Sequence, residues 1–316
     1  MAEKQTRIVF IGTPDFARIV LEYLLQWPQA AVAGVYTQPD RPCGRGRKTT
    51  PSPVKELALE KGLKVFQPCG FKEPGAVEEL TGLAPDYLAV AAYGLILPQT
   101  VLDCAAVMPL NVHASLLPKY RGAAPIQRAI INGESATGIS IMRMTRGLDC
   151  GPVILQRAMG IGIDDTAGSL HDDLAHMGGQ LLVEAMQGIN QGLLKEMEQD
   201  EALATHAPKL TKQEGLIDWN QPARVIHNRI RGMHPWPGAY FDWQGPGQKT
   251  IRLHVRPGRI GRDNSDKTSP GTILGLEGEN LAIACQDRIY LVSSVKPENS
   301  REMDARGFEC GYLSRC

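Results

Sequence analysis

The chain has no run approaching the roughly twenty apolar residues that a membrane-spanning helix needs. Its opening Met-Ala-Glu-Lys-Gln-Thr-Arg is neither an apolar signal segment nor an Arg-rich, acid-poor transit peptide, so a soluble, cytoplasmic protein is expected. Cysteine is sparse and unpatterned. The seven, at 43, 69, 104, 150, 285, 310 and 316, are odd in number and never spaced as Cys-x-x-Cys, which argues for reduced thiols and against a disulfide framework or a zinc site. His171 and His176, five residues apart on a predicted helix, do not share a face as an i, i+4 pair would, so no metal is expected. The loop after the first predicted strand, Gly12-Thr13-Pro14-Asp15-Phe16-Ala17, has one glycine where a dinucleotide fold needs three, and no Gly-x-x-x-x-Gly-Lys occurs. NAD and ATP are therefore disfavoured as cofactors.

With 316 residues, 43% hydrophobic and 22% charged, the chain has apolar content for a sizeable core and length for two domains. Apolar strand signals over 7–12, 31–37, 64–66 and 87–92 alternate with helical spacing over 16–27, 53–61 and 75–81. This βα repetition predicts an α/β fold with a doubly wound, Rossmann-like sheet and ligands beyond the carboxyl ends of its strands. Strand signals at 137–144 and 153–159 read as a hairpin-like extension, and 169–187 as a long helix whose Leu and Met stripe is core packing. Residues 189–208 turn polar and acidic, which marks a linker between a first domain at 1–188 and a second at 209–316. In the second, a helix over 222–231 precedes about five short strands between 240 and 295, as in a small OB-like β-barrel, a fold that often meets nucleic acid.

Lysine plus arginine and aspartate plus glutamate are equal at 34 each, yet residues 1–204 hold 18 cations against 22 anions and residues 205–316 hold 16 against 12. The net charges of −4 and +4 hint at a polyanionic partner for the second part, although a solvated surface gives the same count. A second basic feature is local. Arg41, Arg45, Arg47 and Lys48 fall within eight residues spaced by Gly and Pro, which describes a long flexible loop outside the sheet and suits phosphate contacts.

The chemistry concentrates at Asn111-Val112-His113. A strand over 110–113 would point Asn111 and His113 at one spot, because alternate residues share a face. Asp149 stands further on, in Arg-Gly-Leu-Asp-Cys-Gly. An amide, an imidazole and a carboxylate without a Ser, Cys or Lys nucleophile suit direct attack of one substrate on another. Cys150 is read as a bystander. A lone histidine at a strand end is commonly a hydrogen-bonded structural residue, but here a turn-rich basic loop and then Ala124-Pro125 follow, and strand, loop and helix N-terminus are frequent active-site architecture.

Asn-x-His at 111–113, Ser-Leu-Leu-Pro-x-x-Arg-Gly at 115–122 and Gly-Leu-Asp-x-Gly at 147–151 together resemble the 10-formyltetrahydrofolate-dependent formyltransferases. The Lys-Leu-Thr-Lys, Ile-Asp-Trp and Pro-Trp-Pro-Gly-Ala segments between 209 and 239 resemble those members that formylate initiator methionyl-tRNA. The resemblance implies 10-formyltetrahydrofolate as co-substrate, no metal, and Asn111, His113 and Asp149 as catalytic residues. Asn111 and His113 would hydrogen-bond the developing oxyanion, and Asp149 would orient the imidazole and help relay a proton. It also implies that Ser115, Leu116, Leu117 and Pro118 contact the folate, that the run from Val90 through Tyr93 and Gly94 to Leu97 forms the pterin slot, and that Arg41, Arg45, Arg47 and Lys48 engage the tRNA acceptor stem. Phe16 would either wall the methionine side chain or staple the first helix. A monomer acting on tRNA is the expectation. Formyl transfer to a sugar- or ribonucleotide-linked amine, and RNA binding without turnover, are the alternatives.

Overall fold

The computed structural model describes residues 5–43, 48–73, 75–245 and 249–313. The chain divides into two compact units, the first comprising residues up to Pro125 together with Thr137–Met159 and His171–Ala207. Its strands are β1 (Thr6–Gly12), β2 (Ala30–Tyr36), β3 (Arg41–Cys43), β4 (Lys48–Thr50), β5 (Val65–Phe66), β6 (Tyr87–Ala91), β7 (Met108–His113), β8 (Ala136–Arg143) and β9 (Val153–Gly160). Seven of them form one sheet in the order β5-β2-β1-β6-β7-β8-β9. The pairs from β5 to β7 are parallel and β7 to β8 is antiparallel. The chain starts at β1, winds outward through β2 and β5, then returns to β6 on the other side of β1. A topological switch therefore lies between β1 and β6, where a parallel sheet opens a ligand crevice beyond its strand ends.

The central strands β1 and β6 are apolar over most of their length because both faces are covered. Residues 8–11 of β1 and all of β6 are buried. Gly12 ends β1 where a Cβ would come within 2.6 Å of Ala17 and 2.8 Å of the Ala91 carbonyl, so only glycine lets helix α1 (Asp15–Gln26) start this close to β6. The long helix over Ala167–Asn190 carries the expected stripe, with Leu174, Leu181, Leu182 and Ala185 fully buried. Its Gly178 and Gly179 lie where a Cβ would strike Val112 at 2.7 Å and the Tyr23 ring at 2.4 Å.

The described ends of the basic segment are strands where a flexible loop is expected, and residues 44–47 lie outside the described residues. Its two arms, β3 and β4, pair antiparallel as a two-stranded ladder separate from the main sheet. The hairpin is braced at its root, where Lys55 Nζ meets Asp40 Oδ2 at 2.6 Å and Gln67 Nε2 donates to Asp40 Oδ1 and to the Gln38 carbonyl. The hydrogen bond from Lys55 holds the Asp40 carboxyl below the usual carboxylate range.

The second unit comprises Ile126–Ala136, Gly160–Leu170 and Pro208–Cys316. A single cut near residue 188 or 209 therefore does not describe the clustering. Two short segments from the first half of the sequence belong with the second, held by bonds such as those from Arg231 Nη1 to the Gly162 and Asp165 carbonyls. The helix over Ala223–Gly232 is followed by strands Ala239–Trp243, Ile251–Val255, Arg259–Asp263, Ile273–Glu277, Asn280–Ala284, Arg288–Val292, Ser294–Pro297 and Met303–Asp304. They form two four-stranded antiparallel sheets, so the small β domain has more strands than the five read from the sequence. Arg259–Asp263 escapes pattern reading because it is mostly polar and its register is bulged.

Candidate active site at the end of the central strands

β7 delivers Asn111 and His113 on one face, and Ser140 of β8 stands opposite His113 in register. His113 is 5% exposed. Its Nε2 lies 2.9 Å from the Tyr120 carbonyl, which makes Nε2 the protonated nitrogen of that pair, and its Nδ1 is 3.6 Å from Asp149 Oδ2. Both ring nitrogens are thus turned toward protein atoms. The sequence predicts His113 donating straight to the oxyanion; that contact requires the Tyr120 carbonyl to give up its place. Among the described residues the half-buried Asn111 amide has no protein partner, which leaves its donors for a substrate oxygen.

Asp149 is fixed by its own surroundings. Its Oδ2 accepts the Gly122 N–H at 2.9 Å, and its side chain is 14% exposed. Tyr120 and Asp149 both have left-handed backbones, with φ of 63° and 49°, a conformation that non-glycine residues keep only where neighbours hold it. Gly122, at φ 122°, sits where a Cβ would come within 2.7 Å of the Ala207 carbonyl.

The loop over 115–118 is built by residues that sequence patterns do not single out. Ser140 Oγ donates to the Ser115 carbonyl at 2.6 Å and accepts from Leu117 N–H and Gln156 Nε2. Gln156 also donates to the Leu117 carbonyl. Ser115 and Leu117 are themselves buried, the first donating to the Lys119 carbonyl and the second packed with Met142 and Val153. Their side chains are therefore taken up within the protein, while those of Leu116 and Pro118 are half-buried.

At the switch point the picture is similar. Val90, Tyr93 and Leu97 are buried in one core cluster with Val9, Ile11 and Leu88. Burial pushes the Tyr93 phenol up to about 12, so it stays neutral. What faces outward is Gly94, left-handed at φ 79°, and Ile96, which is 90% exposed. Ile96 goes unnoticed in the sequence because one isoleucine in an apolar run looks like core. The Tyr93 carbonyl accepts from Thr13 Oγ1 at 3.2 Å and Gln38 Nε2 at 2.6 Å, tying the loops after β1, β2 and β6 together.

Phe16 is buried against the His171 ring in an edge-on contact of 5.5 Å, which leaves it to packing. Arg41 is exposed; Arg45, Arg47 and the Lys48 side chain lie outside the described residues. Among the described residues no group of three His, Cys, Asp or Glu could hold a metal ion, and no helix is long and apolar enough to cross a membrane. Cys150 Sγ lies 3.6 Å from Thr145 Oγ1.

A doubly wound sheet with an amide, an imidazole and a carboxylate at its carboxyl edge is the arrangement of an acyl-transfer enzyme of the formyl transferase kind. The formyl transferase family model matches residues 6–186 and the formyl transferase C-terminal domain model matches 209–313; the chain belongs to this family. It is 54% identical to the methionyl-tRNA formyltransferase of Nitratidesulfovibrio vulgaris (strain DP4) over 98% of this chain and 94% of that one. It is 48% identical to the protein of the same name from Marinobacter nauticus over 93% of each. Among solved structures, HypX from Aquifex aeolicus in complex with tetrahydrofolic acid shares the fold, with a TM-score of 0.64 and 17% identity over 99% of this chain and 48% of that one. An N-formyltransferase from Helicobacter canadensis, in complex with folinic acid and dTDP-3-aminofucose, superposes with a TM-score of 0.65 at 18% identity over 95% and 100% of the two chains.

Proposed function

We infer that the protein transfers the formyl group of 10-formyltetrahydrofolate to the α-amine of methionine esterified to initiator tRNA, in the cytoplasm and as a monomer. The observation that carries this reading is identity of 54% running through both family domains to a curated methionyl-tRNA formyltransferase. The folate supplies an activated formyl carbon. Asn111, whose amide has no partner among the described residues, donates to the formyl oxygen as charge develops there. The neutral methionyl amine attacks, forming the new C–N bond; its ammonium is more acidic than that of lysine, so a usable neutral fraction exists near neutrality. As the old C–N bond breaks, the proton lost by the attacking amine passes to the leaving nitrogen. Asp149 and His113 hold that proton in transit, with the carboxylate stabilising a charged imidazole. The loop over 115–118 meets the folate with its half-buried Leu116 and Pro118, the turn around Gly94 and Ile96 shapes the pterin slot, and the basic segment carrying Arg41, Arg45, Arg47 and Lys48 engages the acceptor stem.

The test is direct: incubate the purified chain with 10-formyltetrahydrofolate and methionyl initiator tRNA, release the amino acid and weigh it. Formylmethionine is expected. Formylation of a nucleotide-linked amino sugar and not of the tRNA would replace this reading with the small-molecule one.

A further inference from the structure

The geometry points to Gln199, in the segment that reads from sequence as a linker, as a positioning residue for the His113–Asp149 pair. This rests on the formyl-transfer reading of that pair. His113 is oriented by two separate loops, one supplying the Tyr120 carbonyl to Nε2 and the other supplying Asp149 to Nδ1. Gln199 bonds both. Its Nε2 donates to the Asp149 carbonyl at 2.8 Å and to the Gly151 carbonyl at 2.7 Å, while its Oε1 accepts from Arg121 Nε at 3.0 Å and Nη2 at 2.8 Å. Both donors and both lone pairs of one amide are used, two on each loop.

The surroundings make the bridge rigid. Glu201 takes the other edge of the Arg121 guanidinium in a forked pair, Nη1 to Oε2 at 2.9 Å and Nη2 to Oε1 at 2.7 Å. Thr205 Oγ1 accepts the Tyr120 N–H at 2.9 Å, the Thr205 carbonyl accepts the Arg121 N–H at 2.9 Å, and the Ala207 N–H donates to the Arg121 carbonyl at 2.7 Å. Arg121 is 5% exposed, so its guanidinium is taken up by Gln199 and Glu201 and not by solvent. The two left-handed residues, Tyr120 and Asp149, are the ones that this clamp holds. Without Gln199 the tie that remains between the carbonyl side of His113 and the carboxylate side is the bond from Gly122 N–H to Asp149 Oδ2, which fixes the carboxylate but not the backbone of its loop.

Gln199→Met keeps the length of the side chain and removes all four bonds. Gln199→Glu keeps the acceptor for Arg121 and turns a carboxylate against two carbonyl oxygens. Glu198→Gln, one position away and exposed, serves as the control. With the full chain, methionyl initiator tRNA and 10-formyltetrahydrofolate, both Gln199 variants are expected to lose at least tenfold in kcat while KM for each substrate stays within about twofold. Their kcat–pH profile should change shape, because the pair that handles the proton is no longer in register. In substrate-free protein, the ¹⁵N signals of the His113 ring should shift in Gln199→Met while those of the other histidines stay in place. Wild-type kcat and pH profile in both variants, or reduced kcat with an unchanged profile and unmoved His113 signals, would overturn the proposal. The ring signals are read without turnover, so they test the clamp even if tRNA proves not to be the acceptor.

Discussion

Asn111 and Asp149 differ in their surroundings, the first without a protein partner among the described residues and the second already engaged by Gly122. The Asn111 amide is free of protein partners among the described residues, so Asn111→Ala should remove a bond made only as the oxyanion forms. A fall in kcat of about two to three orders of magnitude with near-constant KM is expected in steady-state formylation assays. Asp149→Asn keeps the shape but presents an amide to Gly122 and His113; kcat should again drop, and binding of methionyl-tRNA by filter retention should persist. Ser140 is a case of structure rather than chemistry. Fully buried, it satisfies one acceptor and two donors around the 115–118 loop, so Ser140→Ala strands buried polar groups and should cost about 1–3 kcal/mol in urea unfolding. The pairing of Asn111 with His113 is legible from spacing alone, since strand periodicity puts them together whatever the rest of the fold does. Ser140 and Gln156 are not, because a serine among apolar strand residues carries no sign of which carbonyl it will meet.

At the scale of elements, the hairpin of β3 and β4 separates two jobs. Its root is neutralised internally by Asp40, Lys55 and Gln67, while Arg41 is exposed. Replacing Arg41, Arg45, Arg47 and Lys48 with serine should leave stability nearly unchanged and weaken tRNA binding. A plot of log affinity against log salt should flatten by about one unit for each phosphate no longer neutralised. Unchanged slopes would remove the hairpin from the tRNA interface. The helix over Ala223–Gly232 gives a second test. His227 donates from Nε2 to the Ile163 carbonyl and accepts from the Tyr290 hydroxyl at Nδ1, and that hydroxyl accepts the Gly258 N–H. Burial holds the His227 pKa below its ordinary 6.5. His234 and His254 are depressed by the same cause. A histidine kept neutral in the fold contributes stability that is complete above the unfolded-state value and is lost as pH falls below it toward the folded value. Thermal melts from pH 8 to pH 5 should show stability falling below about pH 6.5, less steeply in His227→Gln. The largely apolar central strands and the stripe of the long helix are readable in the sequence because burial on both faces leaves no other composition. The contacts of residues 189–208 are hidden for the opposite reason. Gln199, Glu201 and Thr205 are polar, as a solvated linker is, yet their partners at Tyr120 and Arg121 lie some eighty positions upstream, beyond the reach of any local pattern.

For the molecule as a whole, that separation bears on the order in which the protein becomes competent during synthesis. Asn111, His113 and Asp149 are all translated before the sheet-covering helix ends at Asn190, and every strand of the main sheet precedes Asp149 or begins within a few residues of it. The segment that sets the loop carrying Tyr120 and Arg121 emerges after all of these, at 199–207. Contacts of such long range close late, after the local ones have formed. A nascent chain with residues up to 190 outside the ribosome would therefore carry Asn111, His113 and Asp149 but lack the partners of Tyr120 and Arg121, whereas one with residues up to 207 outside would have them. Ribosome-bound chains exposing residues up to 190 or up to 207, compared by protease protection around Tyr120, would show whether the catalytic loop waits for its own connector.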